Sequence, residues 1–448
     1  MYMYYKYINT YIYICQKCSY KLRSLTQLCS TTGVLNFYFP DDFYDSASMR
    51  ISNLGMFAAD VTGANDVNAY YPITCGVAQV ISRFTVLSGS DELEMLDHVS
   101  QWATVKALNN TFTTPEDIQH NTLHNGWNFS SATLAGGANN SGKLTINNRS
   151  VDYASATINN LSQPANQTRI GNTQYPPGSS ASLNVSMISG LLQATPILPM
   201  IPKLRLVIEY DTNVAHYFTT AAIGAAPARL QPTFPVLIVK RYVNPPKIAS
   251  VVTIPYTTVK CSSGFIVPAV VAPGAAPAVG LITRTPFQSY DFVGKMLKRL
   301  TMYNSPATSV GVMLQGIRSS AQSHEVINFV INGEKYLPDN GIDSPAIKLQ
   351  YLVNSYGNFC VPLLSTAYGL KNQSSVITDS VSDLVGNMAL TAVRVDSLIK
   401  TPIQVEYARQ PRVGNLATSL EPLNILLFGE LSQLLTVSAG RSSVSVAS

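Results

Sequence analysis

Residues Val326 to Gly357 restrict the fold more than any other stretch of the chain. Ile327, Phe329 and Ile331 share one face of a strand, the two-residue period of a half-buried sheet. Asn332-Gly333 then tolerates the positive φ angles of a tight hairpin turn, Tyr336-Leu337-Pro338 runs on extended, and Asp339-Asn340-Gly341 turns again. Ser344 is placed to cap a helix whose first residue is Pro345, where a missing N–H costs nothing. Leu349, Leu352, Val353 and Tyr356 form one apolar stripe on that helix, and Gly357 ends it. Each such side chain gains roughly 1.5–3 kcal/mol on burial, so the helix has to lie on a surface. The sheet that holds the strand is the natural one.

Elsewhere the same two-residue period recurs in short runs separated by polar turns. Regular patterning starts at Met49. Gly76 to Val86 reads as a strand, Ser88-Gly89-Ser90-Asp91 as a turn, Leu93 to Leu96 as a returning strand, and Val99 to Leu108 as a short helix. Residues 111–180 are dominated by Asn, Ser, Thr, Gly and Gln and carry almost no pattern, which marks a long loop insertion. Asn-x-Ser/Thr triplets are frequent there, as such a composition yields by chance. Leu183 to Tyr210 restores order: a strand, a helical turn over Met187 to Leu192, and an alternating strand that places Leu204, Leu206, Ile208 and Tyr210 on one face. Phe234 to Tyr242 is a further strand, and Asn244-Pro245-Pro246 is the best domain boundary. Phe265 to Ile282 is apolar and uncharged, but Pro268, Pro273 and Pro277 break any membrane helix there and favour an extended segment. Lys295, Lys298 and Arg299 read as a solvated face or an inter-subunit contact. Thr401 to Tyr407, Leu423 to Phe428 and Leu434 to Val446 close the chain as strands.

Charged residues make up 12% of the 448, about half the usual share, which suits short strands and a surface that becomes interface. The net charge of +5 is spread out with no Lys/Arg run, so no nucleic-acid arm is expected. The six cysteines do not suggest a disulfide framework. Residues 1–48 include a Tyr- and Ile-rich beginning that is too polar to span a bilayer and lacks a cleavage pattern. Two readings stay open for it: an arm tucked under neighbouring subunits, or an extension upstream of a start at Met49.

Three constellations hold residue types that could carry chemistry. Cys15-x-x-Cys18 with Cys29 lacks a fourth zinc ligand at a suitable spacing. Gly137 to Leu144 falls one residue short of a phosphate loop, because Leu144 stands where a magnesium-holding hydroxyl is needed. Glu116, His120 and His124 would share a helix face, but on a short exposed helix without enclosing support. No nucleophile elbow is present, and acidic residues are too sparse to nominate a catalytic pair. No catalytic, cofactor or metal residue is therefore assigned.

The module at Val326 to Gly357 resembles the second-domain signature of double jelly-roll major capsid proteins, the lineage of virophages, polinton-like viruses and adintoviruses and, at greater distance, the adenovirus hexon. The run Ser189-Gly190-Leu191-Leu192, Leu198-Pro199 and Leu204-x-Leu206-x-Ile208 is similar to a strand–helix–strand unit of the first domain. The resemblance covers Met49 to Ser448 as an ordered set of patterns. It implies an all-β chain of two tandem eight-stranded antiparallel jelly-roll sandwiches with a few short helices, the first at 49–244 and the second at 245–448. It further implies a structural protein of an icosahedral shell and no enzyme. Homotrimers with pseudo-sixfold outlines would meet neighbouring capsomers, a penton protein and minor capsid proteins in a virion assembled inside the host cell. A vertex protein and a surface lectin or adhesin are the alternatives that the composition leaves open.

Overall fold

Leu204, Leu206, Ile208 and Tyr210 alternate with residues that keep some exposure, and the run is a strand with those four side chains buried. The computed structural model describes residues 17–23, 33–52, 54, 56–59, 66–68, 78, 80–109, 132–134, 142–146, 149–152, 182–213, 230–232, 235–243, 251–268, 283–306, 323–336, 341–342, 345–356, 390–411, 422–438 and 441–446.

The elements up to Tyr242 are β1 (Lys17–Arg23), β2 (Val34–Tyr38), β3 (Tyr44–Ser52), β4 (Met56–Ala59), β5 (Asp66–Asn68), β6 (Ile81–Ser88), β7 (Asp91–Asp97) and helix α1 (Val99–Asn109). They continue with β8 (Ala132–Leu134), β9 (Gly142–Ile146), β10 (Arg149–Asp152), β11 (Ser182–Asn184), α2 (Gly190–Ala194), β12 (Ile197–Leu198), β13 (Leu204–Tyr210), β14 (Leu230–Pro232) and β15 (Val236–Tyr242). Two main sheets result, in the orders β1-β15-β3-β11, with β12 also on β3, and β2-β13-β6-β7. All pairings are antiparallel.

Beyond it lie β16 (Val251–Val267), β17 (Thr283–Ser289), β18 (Met296–Pro306), β19 (Ser323–Ile331), β20 (Glu334–Lys335), α3 (Pro345–Tyr356), β21 (Leu390–Leu398), β22 (Ile403–Pro411), β23 (Leu423–Ser438) and β24 (Arg441–Val446). These form the sheets β16-β23-β18-β21, extended by β24, and β17-β22-β19-β20. Phe329, Ile403 and Val405 of the second sheet meet Leu300, Met302 and Ile425 of the first in one buried cluster. Among the described strands, none up to Tyr242 pairs with one from Val251 onward.

The module around β19 follows its sequence closely. Ile327, Phe329 and Ile331 are buried, and Asn332 and Gly333 both take positive φ, the requirement of a type I′ turn. Gly341 has φ +72°, and a Cβ there would lie 2.3 Å from Asn328 Oδ1 and 2.8 Å from the Ile327 carbonyl oxygen. Ile342 exchanges two backbone hydrogen bonds with Ile327, which holds the turn against the strand. Gly341→Ala combines a strained φ with that crowding and is expected to cost about 1–3 kcal/mol, visible as a melting temperature lower by several degrees.

The helix forms as expected over Pro345–Tyr356, but its buried face is rotated. Lys348, Leu352 and Ser355 are buried while Val353 is exposed. The cause is an ion pair: Lys348 Nζ lies 3.3 Å from Glu325 Oε2 on β19, both side chains nearly inaccessible. Ser344 and Gly357 lie outside the described residues.

Other sequence expectations shift. Strand structure does not begin at Met49, since β2 and the start of β3 precede it and bury Leu35, Phe37 and Tyr44. Lys17–Arg23 lies antiparallel beside β15 of the same chain. The strand expected from Gly76 starts at Ile81. The stretch expected as a patternless loop holds a small sheet, β10-β9-β8. β16 was hidden by Pro255 and by Ser262-Ser263-Gly264, where the pairing with β23 slips register. The strands read separately at Leu423 and Leu434 are one, because Gly429 to Ser432 stay in register with Thr257 to Lys260.

Candidate functional site

β7 carries an unusual pair of neighbours: Leu93 and Glu94 are both buried, although adjacent strand residues normally face opposite ways. The register of β7 against β6 shifts between Val86, opposite Glu94, and Leu87, opposite Glu92. Leu93 is the extra residue of a bulge, and the bulge turns the Glu94 carboxylate inward. There it meets the start of α2. Ser189 caps that helix, its Oγ accepting from Leu192 N at 3.1 Å. The Ser189 hydroxyl donates to Glu94 Oε2, Gly190 N to Oε1 at 2.7 Å, and Leu191 N to Oε2 at 3.3 Å. Burial raises the Glu94 carboxyl to about 7 against these hydrogen bonds and the more distant Lys106 ammonium, which lower it.

This cluster sits where the two pairs of sheets meet. A Cβ on Gly190 would fall 1.6 Å from the Thr257 carbonyl oxygen of β16, so the α2 backbone packs directly on that strand. The Tyr256 hydroxyl donates to the Leu93 carbonyl oxygen at 2.5 Å. Burial, with Glu94 and Glu92 adding to it, holds that phenol far above its usual range. On α1, Trp102 is fully buried and packs on Phe428 of β23, ring centroids 5.6 Å apart. Leu352 of α3 joins the same apolar cluster, which therefore draws side chains from both halves of the chain. This seam is the best-formed polar and apolar constellation among the described residues.

Folds related to this arrangement are known. Compared by sequence, the chain matches no family model and no curated protein. Compared by structure, it is similar to a chain of the Sputnik virophage particle, with TM-score 0.56, 13% identity, and coverage of 97% of this chain and 89% of that one. It is similar to the mavirus major capsid protein, with TM-score 0.56, 8% identity and 96% and 90% coverage. The Faustovirus major capsid protein is matched at TM-score 0.50, 10% identity and 95% and 91% coverage. The chain has the double jelly-roll fold of viral major capsid proteins.

Within this double jelly roll, most residues of the constellations named from the sequence fall outside the described residues. Glu116, His120 and His124 lie outside the described residues, as do Cys15 and Cys29, while Cys18 lies in β1. Gly142 to Leu144 belong to β9, a hairpin strand rather than a glycine loop opening a helix. In the basic cluster Lys298 is exposed as expected, and the correction falls on Arg299. Arg299 is no solvated face: its Nη1 lies 2.8 Å from Glu430 Oε1, and its guanidinium lies 4.0 Å from the centroid of the Tyr356 ring. Tyr356 in turn shares a 2.5 Å hydrogen bond with Thr301. Lys298 donates to the Thr257 hydroxyl at 2.9 Å. Burial and the neighbouring Lys260 push the Lys295 ammonium down to about 8. Sequence reasoning passed over Glu94 altogether. The only local signal was a glutamate between two leucines in Leu93-Glu94-Met95-Leu96, which the bulge converts into a buried site.

Proposed function

We propose that this chain is a structural major capsid protein that assembles as pseudo-hexameric homotrimers into the facets of an icosahedral virus shell. The observation that carries the reading is the double jelly-roll architecture over nearly the whole chain, matched in the Sputnik virophage, mavirus and Faustovirus chains. Two sandwiches per chain and three chains per ring give six similar wedges, which suits a hexagonal lattice. The first domain runs to Asn244 and takes in the strands from Val34; the second starts at Pro245. The buried seam favours such a role, since a lattice unit has to keep its two wedges at a fixed angle. Exposed apolar side chains such as Tyr290, Val293 and Leu398 at one end of the second sandwich suit contacts with neighbouring capsomers. Penton and minor capsid proteins would be the other partners, with the virion as the location.

Light scattering and negative-stain microscopy on the full chain test this. The expected result is a particle of three chain masses with a hexagonal outline. A stable monomer at high concentration would overturn the capsomer reading and favour a surface lectin or adhesin.

A further inference from the structure

We infer that the seam inside the chain is repeated between copies: the edge of the second jelly roll that carries β20 and α3 docks on the β1–β2 edge of the next copy. The inference rests on the capsomer reading above and names the surfaces that join its subunits. Its starting point is that the two jelly rolls repeat one topology. Strands β1, β2, β3, β6, β7, β11, β13 and β15 of the first correspond in chain order to β16, β17, β18, β19, β20, β21, β22 and β23 of the second. The sheets correspond too, β1-β15-β3-β11 with β16-β23-β18-β21, and β2-β13-β6-β7 with β17-β22-β19-β20. A helix follows each of the corresponding strands β7 and β20, α1 in the first roll and α3 in the second. Each sandwich therefore has two unlike edges, one made by its first two strands and one by the strands before and after its helix.

The seam joins unlike edges. β16, the first strand of the second roll, packs on β7 and α2 from the helix side of the first. The Tyr256 hydroxyl donates to the Leu93 carbonyl, the Gly190 backbone rests on Thr257, and Trp102 of α1 reaches Phe428 of β23. Such a contact uses one edge of each roll. It leaves a β1–β2 edge on the first roll and a β20–α3 edge on the second. Those two edges are of the kinds that the seam joins, so further copies can add head to tail by the same contact. A head-to-tail contact closes into a ring when its rotation allows, and three copies supply the six wedges of such a ring.

Apolar side chains stand at both remaining edges. On β23, Ile425 and Leu427 enter the second roll's own cluster, while Leu426 and Phe428 face the other way and are buried against the first roll. β15 corresponds to β23. There Leu237 and Val239 are buried, while the alternate residues Val236 and Ile238 keep partial exposure. On α3, Val353 is 36% exposed although it belongs to the apolar stripe of the helix, because the Lys348–Glu325 ion pair turns another face inward. Val353 is thus placed to meet Ile238 of the next copy, as Trp102 meets Phe428 within the chain.

Cross-linking of the full chain tests the contact. Val353→Cys and Ile238→Cys combined in one chain and treated with a short bismaleimide are expected to give linked dimers and trimers on a denaturing gel. The wild-type protein and each single variant set the background from the native cysteines. Light scattering on the untreated proteins separates the two ways of failing. Trimers in solution with no cross-linking above the single variants overturn the inference and leave the capsomer reading standing. Equal cross-linking by Val353→Cys alone also overturns it, since that marks a contact between like edges. A wild-type chain that stays monomeric overturns the capsomer reading and the inference with it. Should Ile238→Cys fail to fold, Val236→Cys takes its place and the same outcomes decide.

Discussion

Gly190→Ala is expected to destabilise the protein by roughly 3 kcal/mol or more, a shift readily read from the denaturant midpoint. The sign is informative because local propensity points the other way. Alanine in a helix is favoured over glycine by about 1 kcal/mol. The contact outweighs this: the new methyl carbon would stand 1.6 Å from the Thr257 carbonyl oxygen and 2.7 Å from its carbon. Both are backbone atoms of β16, a strand paired with β23 along most of its length, so no side chain can rotate away to make room. Either α2 leaves Glu94 or the two jelly rolls part. A midpoint unchanged or raised would show that the junction is looser than the packing implies.

Trp102→Ala is the second large effect, a loss of about 3–5 kcal/mol for emptying a fully buried aromatic site. Trp102 belongs to α1 in the first half of the chain, and its ring meets Phe428 in the second. The cost is therefore shared between the two jelly rolls. A double-mutant cycle with Phe428→Leu is expected to return a coupling of about 0.5–1.5 kcal/mol. Additive costs would place Trp102 in the first sandwich alone.

What could be read from the residues was whatever short-range rules decide. The Asn332-Gly333 turn, the Pro345 helix start and the alternation from Leu204 to Tyr210 each depend on a few neighbouring dihedral angles, and each stands as read. The errors lie where a distant partner overrides the local pattern. Lys348 is buried because Glu325 awaits it on β19, and that rotates the helix face away from the apolar stripe. Arg299 looked solvated until Glu430, far along the chain, and the Tyr356 ring closed around it. No strand was read over Val251 to Gly264, yet β16 runs through Pro255 in register with Leu434. Glu94 needed a bulge opposite Val86, which a single sequence does not announce.

The double burial of β23 bears on when this protein can fold. Ile425 and Leu427 enter the apolar cluster of the second sandwich, while Leu426 and Phe428 enter the cluster shared with the first. On the ribosome, β23 emerges after every other strand of its sheet except β24. The sheets made earlier must wait with open apolar faces and unpaired edges, above all β16, whose partner follows more than 150 residues later. Folding of the whole is thus postponed until synthesis has passed Ser438. Until then the nascent chain depends on being shielded from other chains that expose the same apolar faces and edges.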